Sequence, residues 1–588
     1  MTARGLRAAH GRAAWGLALS VACAGSVPAG PTTSAAPQRI AGLVLGLGSL
    51  VVLSLASGRG SGGARIFRLP AFGWTSPAAL ALAWLGWTTL GLAWGTHAGA
   101  LDVTTWVGAS LFALAGSKLG VFAARAAARR GALLLGLAQS GCALFQVASH
   151  RPVVGLSGNP DWLGLLLGVC LPLTADLAFG GARGDGRGRG GGRVRLGVAI
   201  ALVPMLLAFL VAGSRVAMAS LSLALVTALA LSFRRPAAAH LAVALPASSV
   251  PSSFRDASLG RAFADRTWIW GHALTAAQEA PVAGVGTGRF AHAYLVAQGR
   301  ALAQEAPEAA ARHFVNATSA HGSFVHALVE NGVPGVILLL AATARLVVTL
   351  VGRSPLFWAA SLTLALEMAG DVPLHLPPVA YLGALLLVCA DVRRPRRGPS
   401  RWSSAVLVGA GVAAAWSASV AARSYVGAWI RESARLDSSV DPLARDAALR
   451  RAVRVDPHDG ETLLQAGLSA LELGDAARGR GLLLRSSSEL ADVGTWVALG
   501  NADAALGDRD AAERWYRRAL DLDAGSLKAH VNLAELCRRR RDLPCAEAHL
   551  AAAKRVAPFH PKVRALEDRL RDMDGDGDAD DTELGPGP

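Results

Sequence analysis

HGSFVHALVENGVPGVILLLAATA, residues 321–344, starts on a histidine and continues as a run long enough to cross a bilayer. A bilayer core takes roughly 20 apolar residues as helix. The run 322–344 therefore reads as a membrane helix entered from His321. Twelve further runs of this kind lie around it: 13–30, 40–57, 72–96, 103–122, 131–148, 154–180, 196–213, 216–233, 237–251, 355–371, 377–391 and 403–421. Runs 237–251 and 377–391 are short and read as tilted or re-entrant. The first run follows Arg4, Arg7 and Arg12 and reads as an uncleaved anchor rather than a signal sequence, because a multispan region follows. Of the 588 residues, 52% are hydrophobic and 17% charged, which excludes a disordered chain or a wholly soluble enzyme. The expected fold class is all-α: a polytopic helical membrane protein of 12–13 spans, followed by a soluble α-solenoid.

The formal charge of +16 raises the question of nucleic acid. Counted along the sequence, residues 1–420 hold 33 basic and 13 acidic groups, and 421–588 hold 25 and 29. The excess sits among the apolar segments, where it orients a membrane protein rather than binding nucleic acid. With the N-terminus in the cytoplasm, the inside loops carry Arg59, Arg65 and Arg68; Arg125, Arg129 and Arg130; Arg183 through Arg195; Arg234 and Arg235; Arg345 and Arg353; and Arg393 through Arg401. Most short outside loops carry at most one basic residue. This alternation places the loop 252–320, and everything after 421, outside the cytoplasm. The membrane domain spans 1–421, a linker is expected over 422–444, helical repeats over 445–568 and an acidic tail over 569–588.

The repeats are read from spacing. Gly474-Asp475, Gly507-Asp508 and Arg541-Asp542 recur at intervals of 33 and 34 residues, and Trp496 and His530 are 34 apart. The stretch Trp496-x2-Leu499-Gly500, then Gly507, Ala511, Tyr516 and Ala519, resembles a tetratricopeptide repeat, which implies helix pairs that bury a face only by stacking. Such a domain suits an envelope protein partner. Cys537 and Cys545 bracket a helix turn there, and the sequence leaves a disulfide and two free thiols equally open. Asp572, Asp574, Asp576 and Glu583, with Asp578 between them, fit D-x-D-x-D-G-x5-E, whose oxygens suit Ca²⁺. An acidic tail without an ion is the alternative.

Charged and polar groups at the outer membrane face are the candidates for chemistry, since placing them there is costly without a use. Four blocks stand out: Gly158-Asn159-Pro160-Asp161-Trp162; Gly213-Ser214-Arg215; RTWIWGHAL (266–274) with PVAGVGTGRF (281–290); and the quoted run from His321 to Gly335. Each has a plainer reading. Arg215 suits a snorkelling helix-end anchor. Arg266 and Arg289 suit solvation of a long loop, Asn159 and His321 helix capping. His272, His313 and His326 read as structural or exposed. Gly284, Gly286 and Gly288 lack the strand–helix context of a phosphate loop.

These blocks, in this order, resemble the O-antigen ligase/polymerase family of bacterial envelopes over about residues 40–391. AGSRVAMASL (212–221) looks like its Ser-Arg helix start, 266–290 like its loop consensus, and His321, Gly332 and Gly335 like its His-x10-Gly-x2-Gly signature. Gly322 stands where the family usually has Asn, Ser or Gln. The resemblance implies an enzyme of the bacterial inner membrane that works on its periplasmic face. It would move a glycan from an undecaprenyl-diphosphate carrier to lipid A-core, another glycan or a protein acceptor, amid membrane lipid. Arg215, Arg266 and His321 are then the catalytic candidates, and Arg289, Asn159 and Ser214 the substrate-binding ones. Guanidinium groups hold a diphosphate bidentately, and imidazole takes a hydroxyl proton near neutral pH. No D-x-D occurs in the membrane part or its loops, so no metal or other cofactor is expected in catalysis. A non-catalytic scaffold displaying the repeats is the alternative of another class.

Reporter fusions test the orientation. An enzyme active only outside the cytoplasm should work when fused after residue 300 or 440 and fail after 190 or 398; activity after 398 would overturn the assignment.

Overall fold

Apolar runs that must satisfy their own backbone in lipid can only become helices, and among the described residues the chain is helical throughout without a strand. The computed structural model describes residues 3–27, 35–58, 76–119, 121–156, 158–180, 189–233, 258–351, 354–390, 403–436 and 441–575. The membrane part begins with α1 (Ala3–Ser26), α2 (Ala36–Gly58), α3 (Pro77–Leu90), α4 (His97–Leu119), α5 (Val121–Ala148), α6 (Pro160–Phe179), α7 (Arg189–Ala212) and α8 (Arg215–Phe233). After three helices between 258 and 313 come α12 (Ser323–Leu350), α13 (Pro355–Gly370), α14 (Pro377–Ala390) and α15 (Ser403–Leu436). Run 237–251 lies outside the described residues.

Among the described residues, six helices are long and apolar enough to cross a membrane: those at 36–54, 97–119, 121–148, 160–179, 194–212 and 323–350. Three shorter apolar helices cover 215–231, 355–370 and 377–390. This is fewer than the runs suggest, for local reasons. Run 72–96 shortens because α3 tightens into a 3₁₀ turn at Gly91–Trp94, and α1 begins among the arginines that precede its apolar half. The core is one apolar cluster built from α1 to α8 and α12 to α15, with Leu135, Leu167 and Tyr381 fully buried.

The loop 252–320 is a folded unit. It forms α9 (Ser258–Glu279), α10 (Phe290–Leu302) and α11 (Pro307–His313). Its own core includes Ile269, Ala273, Phe290, Tyr294 and Ala320, closed from below by Val329 of α12.

The solenoid is α16 (Pro442–Val455), α17 (Gly460–Glu472), α18 (Ala476–Glu489), α19 (Val493–Ala505), α20 (Arg509–Leu522), α21 (Leu527–Arg539), α22 (Leu543–Val556) and α23 (Pro561–Gly575). The repeated Gly-Asp pair is its turn: Gly474 and Gly507 take left-handed φ of 80° and 85°. Asp475, Asp508 and Asp542 then cap α18, α20 and α22 by accepting from the third N–H beyond. Gly500 of α19 makes room for the Tyr516 ring of α20. Cys537 and Cys545 form a disulfide across α21 and α22, with Cα atoms 5.8 Å apart.

Two expectations about boundaries change. α15 runs unbroken to Leu436 through most of the expected linker, and packs on α16. Arg431 fastens it to Asp459 at 2.6 Å. At the other end α23 extends to Gly575, so Asp572 and Asp574 are helical. Asp576, Asp578 and Glu583 lie outside the described residues.

The solenoid also lies against the loop unit, α10 on α20 and α11 on α22. Loop unit and solenoid therefore share one face of the protein.

Candidate functional site at the loop face

The geometry of the site starts from a break in a helix. α12 departs from helical geometry at Gly332 (φ 65°, ψ −169°), with Pro334 just beyond. The peptide groups opened there are taken up by the segment 281–290. Val285 N–H donates to the Val329 carbonyl at 2.9 Å, Gly286 N–H to the Glu330 carbonyl at 3.1 Å, and Val333 N–H to the Pro281 carbonyl at 2.8 Å. Side chains complete the join. The Glu330 carboxylate accepts from Phe290 N–H at 3.1 Å, the Trp87 indole donates to the Asn331 carbonyl at 2.7 Å, and the Thr287 hydroxyl donates to the Thr88 carbonyl at 2.8 Å.

The glycines of PVAGVGTGRF are what let this segment come so close. Gly284 has φ 73°, and a Cβ there would overlap the Glu330 carbonyl. One on Gly332 would overlap the Val282 carbonyl. Gly286 and Gly288 likewise face the backbone of Trp94 and Gly99. These glycines pack backbone against backbone.

His321 stands at the corner Gly370–Asp371, at the end of α13, and a helix neighbour of each of the other two catalytic candidates lies near it. Arg215 begins α8 and is exposed; its neighbour Val216 lies in contact with Gly370, where an added Cβ would stand 3.0 Å from Val216 Cγ1. His321 has φ 45°, a strained value for a histidine, and its imidazole is 47% exposed. Its Nδ1 stands 3.9 Å from Asp371 Oδ1. Ser323 next to it donates both its N–H and its hydroxyl to the Asp371 carbonyl, at 2.9 and 3.0 Å. Arg266 lies on α9 one turn before Trp270, so the two share a helix face. The Trp270 indole donates to the Ala320 carbonyl at 2.7 Å, beside His321. Gly322 is buried between that indole and the Ala369 carbonyl.

The substrate-binding candidates fare differently. Asn159 caps α6 by accepting from Asp161 N–H at 2.8 Å. Ser214 is buried against Gly164 of α6. Arg289 sits at the N-cap position of α10, with its Nε buried and lacking a hydrogen-bond partner.

Sequence reading passed over several residues that shape the site. Asp371 is one; a lone carboxylate between runs 355–371 and 377–391 was the signal. Beneath the corner lies a buried polar chain. Arg39 reaches Thr105 at 3.0 Å and Asp102 at 3.4 Å. Asp102 stands 3.6 Å from His375 Nε2. The rings of His375 and His326 are 5.1 Å apart, and His326 Nε2 is 3.3 Å from Glu330. In the loop unit, burial lowers the imidazoles of His272 and His292 from their ordinary value, His292 further through Arg289. An apolar groove runs alongside, lined by Trp84, Trp106, Leu114, Leu339 and Met368.

Together these features define a multi-pass helical membrane protein whose folded loop packs on a broken helix, with a repeat solenoid beside it. Residues 200–340 match the model of the O-antigen ligase family (Wzy_C). Arg215, Arg266, Arg289 and His321 all fall within the matched residues. No curated relative matches the chain. Among solved structures, MamA aligns at 18% identity and TM-score 0.21, over 23% of this chain and 80% of that one. The APC/C hetero-tetramer Cut9–Hcn1 aligns at 14% and 0.22, over 84% and 98%. Neither alignment bears on function at these scores; the solenoid rests on its own helix pairs.

Gly284→Ala and Gly332→Ala should each destabilise the protein by about 1–3 kcal/mol through strain alone, before any overlap is counted. Gly141→Ala, which has no neighbour within 4 Å of its Cβ, should not. Thermal unfolding in detergent reads the difference, and equal midpoints for all three would refute the packing role.

Proposed function

We propose that the protein is an O-antigen ligase-like glycosyltransferase of the bacterial inner membrane. It moves a glycan from undecaprenyl diphosphate to lipid A-core or a similar acceptor on the periplasmic face. What supports this reading is that Arg215, Arg266 and His321 all lie in the residues that match the ligase family, with Val216, Trp270 and His321 near the Gly370–Asp371 corner. Arg215 and Arg266 hold the donor diphosphate, whose charge grows as the bond to the sugar C1 breaks. The acceptor hydroxyl attacks C1, its proton passes to His321, and undecaprenyl diphosphate leaves. Asp371 stands beside that imidazole, 3.9 Å away. The apolar groove offers a place for the isoprenoid chain.

No D-x-D occurs in the membrane part, so the scheme runs without a divalent metal. Calcium at the acidic tail would act on stability rather than on the reaction. A polymerase, or a transferase with a protein acceptor, would use the same chemistry with another acceptor. A scaffold would have no need of two arginines and a histidine at these positions.

The test is transfer by purified protein, given carrier-linked glycan and lipid A-core. His321→Ala should lose about 10²–10⁴-fold while still binding donor. Arg215→Ala and Arg266→Ala should lose transfer severely, and Lys at either position should rescue only in part, since an ammonium lacks the planar fork. EDTA should change nothing. Near-normal transfer by well-expressed His321→Ala protein would sink the general-base role. In cells, loss of lipid-linked ladder with accumulated carrier-linked polymer indicates a ligase, and single-repeat caps indicate a polymerase.

A further inference from the structure

A repeat domain that only displays a binding surface needs no contact with the membrane domain beyond its tether. This solenoid has a fitted one. Gly299 of α10 lies so close to the Asp521 carbonyl and Leu522 that a side chain there would overlap them. Across the seam, Gly525, in the turn between α20 and α21, stands against Ala311 of α11 in the same way. Each partner has a glycine where the backbone of the other approaches.

Polar contacts lie around this fit. At the start of α4 the His97 N–H donates to Glu489 at 3.0 Å, and its Nε2 stands 3.0 Å from Asp456, a carboxylate 2% exposed. Glu489 also meets His458 at 3.2 Å, and Arg555 meets Glu308 at 3.4 Å. His292, one residue into the first turn beyond Arg289 and Phe290, lies near Ser487 and Glu489.

The elements so gripped are those that carry the site. Arg289 immediately precedes α10. Gln298 of α10 accepts from the Trp268 indole at 3.3 Å and from Val315 N–H at 2.9 Å, and the His313 ring at the end of α11 is 5.7 Å from Trp268. Trp268 follows Arg266 by two residues on α9. Position therefore passes from solenoid to α10 and α11, and from these to the helix of Arg266.

We propose that the outer surface of α10 and α11 is a docking site for this chain's own solenoid, and that docking positions Arg266 and Arg289 for transfer. The repeat domain is then a brace on the reaction site, and transfer depends on its being seated. The effect on rate rests on the glycan-transfer reading above; the docking does not.

The full chain tests both parts. Asp456→Asn with Glu489→Gln weakens the seam, and Glu308→Cys with Arg555→Cys, which face each other across it, can lock it. A protease site placed in 437–440 reports the lock, because the two fragments stay together on a non-reducing gel only when the cysteines have joined. The seam-weakened protein should lose transfer on the order of tenfold or more, the scale of a misplaced catalytic group. Oxidising the cysteine pair in it should restore most of that rate, and reduction should remove it again. The same treatments on protein lacking the two new cysteines control for the Cys537–Cys545 bond. Fragments that separate after oxidation would overturn the docking. A lock that forms yet leaves the rate unchanged between oxidised and reduced protein would overturn the brace. No transfer from the unaltered chain, with the lock formed, would instead strike the glycan-transfer reading.

Discussion

The opened backbone at Gly332 is the constraint on which the rest depends. A helix broken inside a membrane leaves peptide groups that lipid cannot satisfy, at several kcal/mol each. Here the segment 281–290 satisfies them, with Gly286 N–H on the Glu330 carbonyl and the Pro281 carbonyl receiving Val333 N–H. The arrangement works in one register only. Gly284 and Gly332 must lack side chains, and the Glu330 carboxylate must meet Phe290 N–H. Helix α12 and the loop unit are thereby a single construction.

Once the segment is fixed, the positions above it follow. Arg289 is pinned because Phe290 is, and α9 is closed over α12 through Ile269, Ala273 and Val329. Trp270 then reaches Ala320, His321 is held in its strained turn, and Ser323 ties that turn to Asp371. The exposed imidazole suits chemistry at an open face, whereas His326 and His375 belong to the buried chain from Arg39 to Glu330. Rigid scaffolding with exposed reactive groups is how sites on loops gain precision.

What the sequence made legible was local. The Gly-Asp pairs at 474 and 507 work within a few residues, as a left-handed turn followed by a cap, so spacing alone found them. Arg215, Arg266 and His321 were picked out by charge at a membrane face, and of these His321 stands at the Asp371 corner. The glycines 284, 286 and 288 were visible but not their purpose, because the surfaces they meet are at Glu330, Trp94 and Gly99. Asp371 and Glu330 were harder still, since each acts through a partner distant in sequence. The continuation of α15 past 421 was hidden by a shift from apolar to charged residues that helices tolerate equally well. Docking of the solenoid rests on Gly299 and Gly525, and a lone glycine carries no signal of what packs against it.

The central claim is that the join at Gly332 gathers Arg215, Arg266 and His321 into one reaction site. An electron-cryomicroscopy map of the full chain with an unreactive donor analogue tests it most directly. The account predicts the diphosphate within hydrogen-bonding reach of both guanidinium groups, and the sugar C1 beside the His321 imidazole at the Asp371 corner. A diphosphate bound away from either arginine, or a His321 turned from the sugar, would contradict it.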